Sequence, residues 1–232
     1  MGALDAVLAD VARRGVDMVV NLGDILSGPV LPRETAERLM ALDMPTIRGN
    51  HERQLLSADL DGMGASDRFA ADAITTAQRD WLTALPATLW VTGEVFLCHA
   101  TPHNDVDCFL ENIRDGELIP AACAEIEERA QPCGAPVILC GHSHIPRVAR
   151  LPTGQLIVNP GSVGIQAYAG HHPIPHQVEI GSPHARYAVI EQTGTGWITE
   201  SFAIPYDWDA AADLAARHDR PQWSRPLRTG FL

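Results

Sequence analysis

The stretch APVILCGHSH, residues 135–144, decides how this chain is expected to fold. Its first half is apolar and β-branched, which predicts a buried strand, and its second half places two histidines one residue apart. Three other apolar runs are predicted to be strands that end the same way, in a side chain able to bind a metal ion. These runs are VDMVVNLGD, MPTIRGNHE and EVFLCHA, with Asp24, Asn50 and His99 at or just beyond their ends.

Strand ends of this kind predict a single site. Predicted helices alternate with the strands, which indicates an α/β fold, and in layered α/β proteins ligands bind at the carboxyl ends of strands. We therefore expect Asp24, Asn50, His99, His142 and His144 to converge. Any one of them alone is more simply a hydrogen-bonded structural residue. Together they suit a divalent transition metal better than calcium or magnesium, which prefer oxygen ligands alone.

Composition narrows the class of protein. The 232 residues are expected to form a single domain, 1–232, in which 205–232 is a C-terminal helix and tail. Seventeen basic against 29 acidic residues give a formal charge of −12, which disfavours broad nucleic-acid binding. No apolar run is long enough to cross a bilayer and no signal segment is evident, so no membrane partner and a cytoplasmic location are expected. The five cysteines lack a CxxC pair, and the oligomeric state stays open.

The motifs resemble those of a known family. LGD, RGNHE, CHA and GHSH follow in the order and approximate spacing of the calcineurin-like metallophosphoesterases, and NPGSVG at 159–164 resembles their small bacterial phosphodiesterase branch. The resemblance covers about residues 1–205. It implies a four-layer α/β/β/α sandwich of the metallo-dependent phosphatase type, with two metal ions at one edge of its sheets.

The resemblance also implies roles for the site residues. Asp24 would bridge the two ions, Asn50, His99 and His142 would complete the second site, and His144 would bind the first ion. The cofactors would be two divalent transition-metal ions, with manganese expected and iron, nickel, cobalt or zinc as alternatives. The implied enzyme hydrolyses a phosphoester, as a phosphodiesterase or phosphatase, through a hydroxide held between the ions.

Other residues extend this hypothesis. His51 is expected to be catalytic, donating a proton or hydrogen bond to the leaving group, while Glu52 either orients a neighbour or is a solvated acid. The amides of Gly161 and Ser162 either face a phosphate or belong to a tight turn that supports the site. Ser27 and Gly28 stand where protein phosphatases of this superfamily carry an acid and an arginine. A small phosphoester is therefore the expected partner, and diester, monoester and dinucleotide polyphosphate stay open.

One family motif has no counterpart. The family pattern begins with a strand ending in Asp-x-His, whereas this chain opens directly on a predicted helix without an N-cap, so the fold is expected to lack its first strand. The natural protein starts upstream, or the chain folds with one metal, or other ligands are recruited. His171, His172, His176 and His184 are candidates for that third case, in a stretch predicted as a solvated loop and alternatively as a substrate-facing loop.

A second class of function competes with the enzyme. A protein of the same fold that has lost catalysis would bind metal and act through interactions. The C-terminal stretch RHDRPQWSRPLR offers a surface for a partner, although a solvated tail is the default interpretation. Its relevant residues are Arg217, Arg220, Trp223, Arg225 and Arg228.

Overall fold

The computed structural model describes residues 1–57, 59, 62–131 and 133–232. None of the helices in these ranges is both long and apolar enough to cross a membrane. A 3₁₀ turn, Pro221–Trp223, precedes the last helix. The α-helices are α1 (Gly2–Arg14), α2 (Pro32–Met40), α3 (Asn50–Leu55), α4 (Ala65–Ala73), α5 (Thr76–Ala84), α6 (Cys123–Ala130), α7 (Trp208–Arg217) and α8 (Ser224–Thr229).

The strands form three sheets. A five-stranded sheet has the order β1-β2-β5-β7-β6, a four-stranded sheet the order β3-β4-β9-β8, and β10 pairs with β11. The strands are β1 (Thr88–Trp90), β2 (Val95–Cys98), β3 (Glu111–Arg114), β4 (Glu117–Pro120), β5 (Val137–Leu139), β6 (Arg147–Arg150), β7 (Leu156–Asn159), β8 (Ala167–Gly170), β9 (His176–Glu179), β10 (Ala185–Thr193) and β11 (Gly196–Ile204).

The centre of the five-stranded sheet positions the site. β2, β5 and β7 run parallel, pairing Leu97 with Leu139 and Leu139 with Val158. Every residue of these three strands is buried, as their apolar sequences predict. Because the strands are parallel, their carboxyl ends lie at the same edge. His99, the loop 141–144 and the turn after Asn159 therefore begin side by side.

This sheet is one of four layers. Helix α6 and residues Phe109 and Leu110 pack on one face. On the other face, Ile47 and the inward side chains of β10 and β11 meet β2, β5 and β7. Helix α1 then covers the opposite face of the β10–β11 hairpin, through Val7, Val11 and Tyr187. The predicted α/β class and α/β/β/α layering are confirmed.

The segment 16–24 corrects one prediction. It was expected to be a buried strand, but it forms only an isolated bridge, in which the Asn21 amide donates to Pro45 (2.9 Å) and Ile47 donates to Asn21 (3.1 Å). Met18 is 50% exposed. Among the described residues β10 and β11 pair only with each other, so neither supplies a second neighbour. Because the segment is hydrogen-bonded along one side only, and over few residues, it forms an isolated bridge and not a β-strand.

The histidine-rich stretch is also more ordered than expected. The solvated-loop prediction for 169–184 is wrong where this stretch forms the end of β8 and all of β9, which pair antiparallel from Ala167–Glu179 to Gly170–His176. β9 alternates buried and exposed residues, so His176 and Val178 point inward. The hairpin was not predicted because Pro173 and Pro175 lie between its two strands and favoured a loop. Its tip, residues 171–175, is exposed throughout, whereas its strands have exposed residues only at some positions.

The C-terminal segment is folded rather than a solvated tail. Helix α8 packs on α7 through Leu227, with Trp223 against the same cluster. Arg228 forms ion pairs with Asp209 (2.8 Å) and Asp213, and Arg220 donates to the Ala65 carbonyl (3.0 Å). Two of the arginines considered for partner docking therefore have partners within the chain.

Candidate metal centre

Three of the predicted ligands lie together. Donor atoms of Asp24, His99 and His142 are all within 4.8 Å of one another. Asp24 follows the 16–23 segment, His99 ends β2, and His142 lies in the loop after β5. Residues more than a hundred positions apart thus meet at the carboxyl edge of the sheet. A carboxylate with two imidazoles is a donor set that suits a divalent transition metal.

His99 gives the clearest indication of a cation site. Its Nδ1 donates to the Leu22 carbonyl (2.7 Å), which leaves Nε2 facing the Asp24 carboxylate Oδ2 at 3.0 Å. That Nε2 is buried and has no hydrogen-bond partner. Burial lowers the pKa of His99, but Asp24 outweighs this effect and raises it. The site thus favours positive charge between the two groups, as a metal ion would provide.

Asn50 joins this group from the first turn of α3. It is buried, and its Oδ1 lies 3.0 Å from Nδ1 of His142. Burial, followed by the charge of His99, lowers the pKa of His142 to about 4, so the ring is neutral and able to bind metal. His142 and His144 both have positive φ, 64° and 59°. Such strained backbone persists where surrounding contacts enforce it and is frequent at functional sites.

Asp24 is held by a buried carboxylate. Glu52 is 1% exposed and accepts hydrogen bonds from the amides of Asp24 (2.8 Å), Ile25 (2.7 Å) and Gly49 (2.9 Å). Glu52 therefore orients its neighbours, and its interpretation as a solvated acid is wrong. Burial would raise the pKa of Asp24, but the nearby His99 and His51 keep it well below its usual range.

Gly23 and Gly49 allow this close approach. A Cβ on Gly49 would lie 2.2 Å from the Asp24 Oδ1, and one on Gly23 would lie 2.4 Å from the Gly49 amide nitrogen. Gly23 also has φ of 90°, which favours glycine. Glycine is therefore needed directly before Asp24 and directly before Asn50, because a side chain at Gly23 or Gly49 would collide with the opposite loop.

His144 lies beside the triad without joining it. Its Nδ1 donates to the Ile165 carbonyl (2.8 Å), which leaves Nε2 available as a ligand atom. Burial lowers its pKa to about 4. Its role at a first ion stays a prediction.

His51 has an acidic partner that the sequence did not reveal. Its Nδ1 is 2.8 Å from Oδ1 of Asp67, a residue of α4 that is 3% exposed. Burial lowers the pKa of His51, but Asp24 and Asp67 together raise it to about 9. The only available sequence signal was an acid within an otherwise amphipathic helix. Asp67 thus supplies an acidic partner for His51, although Ser27 and Gly28 stand where protein phosphatases of this superfamily carry an acid and an arginine.

The NPGS turn contacts the histidine loop. Asn159 donates from Nδ2 to the Gly141 carbonyl (2.7 Å) and to Ser143 Oγ (3.0 Å), and its Oδ1 accepts from the Gly161 amide (2.9 Å). The Ser162 hydroxyl accepts from the Ile165 amide (3.2 Å). These bonds favour the supporting-turn interpretation, and phosphate binding by Gly161 and Ser162 stays a prediction.

The additional histidines lie elsewhere. His171 and His172 are exposed at the hairpin tip. His176 bonds through Nδ1 to the Ile174 carbonyl (2.9 Å), and His184 contacts Ser182 Oγ (2.8 Å). The donor group found among the described residues includes none of the four.

A cleft of about 400 Å³ opens next to this centre. Its lining includes Thr101, two residues beyond His99, together with Asn104, Arg129 and Pro173. Arg129 is already bonded to the Phe109 and Glu111 carbonyls (2.8 and 3.1 Å). The cleft therefore offers polar groups without a free guanidinium at that position.

Solved structures share this fold. A metallophosphoesterase from Sphaerobacter thermophilus superposes with a TM-score of 0.72 at 20% identity, over 97% of this chain and 92% of that one. The hypothetical protein PH1004 from Pyrococcus horikoshii gives a TM-score of 0.78 at 20% identity, over 99% and 93%. These likenesses establish the architecture.

Sequence comparison gives the family. The uncharacterized protein MJ0912 of Methanocaldococcus jannaschii is 24% identical over 246 residues, covering 95% of this chain and 89% of that protein. A family model for the calcineurin-like phosphoesterase superfamily domain matches residues 1–175, three quarters of the chain. The chain belongs to the calcineurin-like phosphoesterase superfamily.

Proposed function

We propose that this chain hydrolyses small phosphoesters, as a phosphodiesterase or phosphatase, using two divalent transition-metal ions. One observation carries the proposal: the buried Nε2 of His99 lies 3.0 Å from the Asp24 carboxylate, with His142 beside them, in a chain of a metal-dependent phosphoesterase family. A carboxylate with two imidazoles this close together is a donor set that suits a divalent transition metal.

The ligands follow from the geometry and from the family pattern. Asp24, Asn50, His99 and His142 would hold one ion, while Asp24 and His144 would contribute to the other. Manganese is the first metal to test, with iron, nickel, cobalt and zinc as alternatives for these nitrogen and oxygen donors. When bound, such ions acidify water for attack on phosphorus and neutralise charge on the phosphoryl oxygens.

His51 would act on the leaving group. Asp67 holds Nδ1, so the opposite nitrogen carries the proton that can be donated to the departing oxygen. The side chain is 38% exposed, which leaves it accessible to substrate. General-acid catalysis of this kind contributes about 10²- to 10⁴-fold to the rate.

The substrate would be small. A formal charge of −12 repels polyanions, so a compact ester attracted by the metal ions suits this surface better than a long nucleic acid. The polar cleft that Thr101 lines, two residues beyond His99, is large enough for an organic leaving group.

One observation favours a second candidate, a metal-binding interaction protein without catalysis. Only Asp24 and His144 are predicted ligands of the first ion, whereas catalytic zinc sites, for example, carry three protein ligands. Such a protein would bind metal but turn over no ester.

The test is hydrolysis of bis(4-nitrophenyl) phosphate by the manganese-loaded 232-residue chain. Asp24→Asn and His51→Ala should abolish or sharply lower turnover while circular dichroism is unchanged, and His184→Ala, outside the donor group, serves as the control. Metal binding without turnover would favour the interaction protein.

A further inference from the structure

Tyr168 of β8 lies against the candidate metal centre. Its ring meets the His144 ring edge-on with centroids 4.9 Å apart, and the His176 ring lies 6.1 Å away on the same hairpin. The β8–β9 hairpin therefore contacts the loop that carries His142 and His144. These contacts use only the aromatic ring of Tyr168, so they do not account for its hydroxyl group.

The hydroxyl of Tyr168 is weakly used within the chain. It donates to the His142 carbonyl at 3.4 Å, whereas O–H···O hydrogen bonds are normally about 2.5–3.0 Å long. By contrast, the Tyr187 hydroxyl makes a short bond to the Asp10 carboxylate. A tyrosine phenol keeps its proton at neutral pH. A protonated donor thus stands beside the metal ligands with little to bind.

A nearby arginine is not available for that purpose. Arg53, on the same short helix as Asn50 and His51, forms a two-point ion pair with Asp105, with both contacts at 2.7 Å. Gly28 stands where related phosphatases carry an arginine. Neither position therefore supplies a free guanidinium to an oxyanion at this centre.

We propose that the Tyr168 hydroxyl donates a hydrogen bond to a non-bridging oxygen of a phosphoryl group bound at the metal centre. The proposal rests on the proposed function, because it assumes that phosphoryl compounds bind there. It makes Tyr168 a binding residue whose ligand class is phosphate and its esters. The weak bond to the His142 carbonyl is exchanged for a stronger bond to a charged acceptor.

The experiment compares Tyr168→Phe with Tyr206→Phe. Both remove one partly buried hydroxyl and keep the ring, but Tyr206 packs against Trp208, outside the metal centre. The manganese-loaded chain is titrated with orthophosphate by calorimetry, and manganese per chain is measured by elemental analysis. Tyr168→Phe should bind phosphate about tenfold more weakly with unchanged manganese content, while Tyr206→Phe should match the parent chain.

Three results would overturn the proposal. Equal phosphate affinity in the two variants would show that the Tyr168 ring only packs. Loss of manganese from Tyr168→Phe would make it a positioning residue for the histidine loop. Failure of the parent chain to bind phosphate would show that phosphate is not a ligand of this centre. Tyr168→Leu, also without the hydroxyl, provides a second variant, and it should show at least the same loss of phosphate affinity.

Phosphate binding is independent of turnover, so the two proposals can fail separately. A parent chain that binds phosphate but hydrolyses no ester contradicts the proposed function and leaves the Tyr168 comparison fully measurable. Where turnover is present, KM should rise in Tyr168→Phe by a factor similar to the loss of phosphate affinity.

Discussion

The loops that carry His142 and Asp24 position ligands of one site by different means. His142 follows β5, which is buried and paired on both sides by β2 and β7. Asp24 follows a segment with one isolated bridge, and the Glu52 carboxylate holds its loop through three amides. A hydrogen-bonded sheet and a single buried carboxylate thus serve the same purpose.

Glu52→Ala should have the largest effect if that comparison is right. Three amides lose their acceptor, at about 1–3 kcal/mol for each group left unpaired, so roughly 3–9 kcal/mol of unfolding free energy should be lost. Manganese binding should fall with it, because the Asp24 loop is released. Urea denaturation and elemental analysis measure both, with Glu191→Ala, an exposed acid, as the control. Unchanged metal content would show that the carboxylate does not position Asp24.

Paired truncations sharpen the contrast between sheet and bridge. Ile138 in β5 is fully buried, so Ile138→Ala should cost about 2–5 kcal/mol of unfolding free energy. Met18 is 50% exposed, so Met18→Ala should change it by about 0.5 kcal/mol or less. Both values come from denaturant midpoints. A similar cost at the two positions would mean that the 16–24 segment is packed as tightly as the sheet.

Gly49→Ala tests the close approach between the two ligand loops. The added Cβ would lie 2.2 Å from the Asp24 Oδ1 and 2.8 Å from the His99 Cε1, so both must move. We expect a loss of about 1–3 kcal/mol in unfolding free energy and weaker manganese binding. Gly93→Ala, where a Cβ meets nothing within 4 Å, should change neither quantity. Full manganese affinity in Gly49→Ala would contradict the tight packing of the site.

Asp67→Asn should have the smallest effect on stability and a selective one on catalysis. The amide cannot support a charged His51, so kcat should fall about 10- to 100-fold. Manganese content should stay the same, since neither residue is a predicted ligand. Steady-state kinetics with bis(4-nitrophenyl) phosphate provide the test. An unaltered kcat would show that Asp67 does not assist His51 in catalysis.

The sequence predicted β5 and the loop that follows it better than it predicted the 16–24 segment. β5 and the GHSH loop were predicted because an apolar run and a specific motif agree. The 16–24 segment has a similar apolar pattern, but hydrophobicity does not report how many neighbours a strand will have. β8 and β9 were missed because two prolines interrupt a weak alternation.

Within the site, the sequence predicted three residues that lie in motifs. It did not predict residues that reach the site only through tertiary contacts. Asp24, His99 and His142 converge as expected. Asp67 and Tyr168 have no local signature, since each reaches the site from an element whose position depends on the whole fold. Glu52 was recognised, but its burial was visible only once α3 was placed against the Asp24 loop.

Anomalous diffraction at the manganese absorption edge, from crystals of the manganese-loaded chain, tests directly whether these residues hold a metal ion. We expect a peak within coordination distance of the Asp24 carboxylate, His99 Nε2 and the His142 ring, and no such peak in His99→Ala. Manganese bound elsewhere, for example at the histidines of the β8–β9 hairpin, with none between Asp24 and His99, would contradict it.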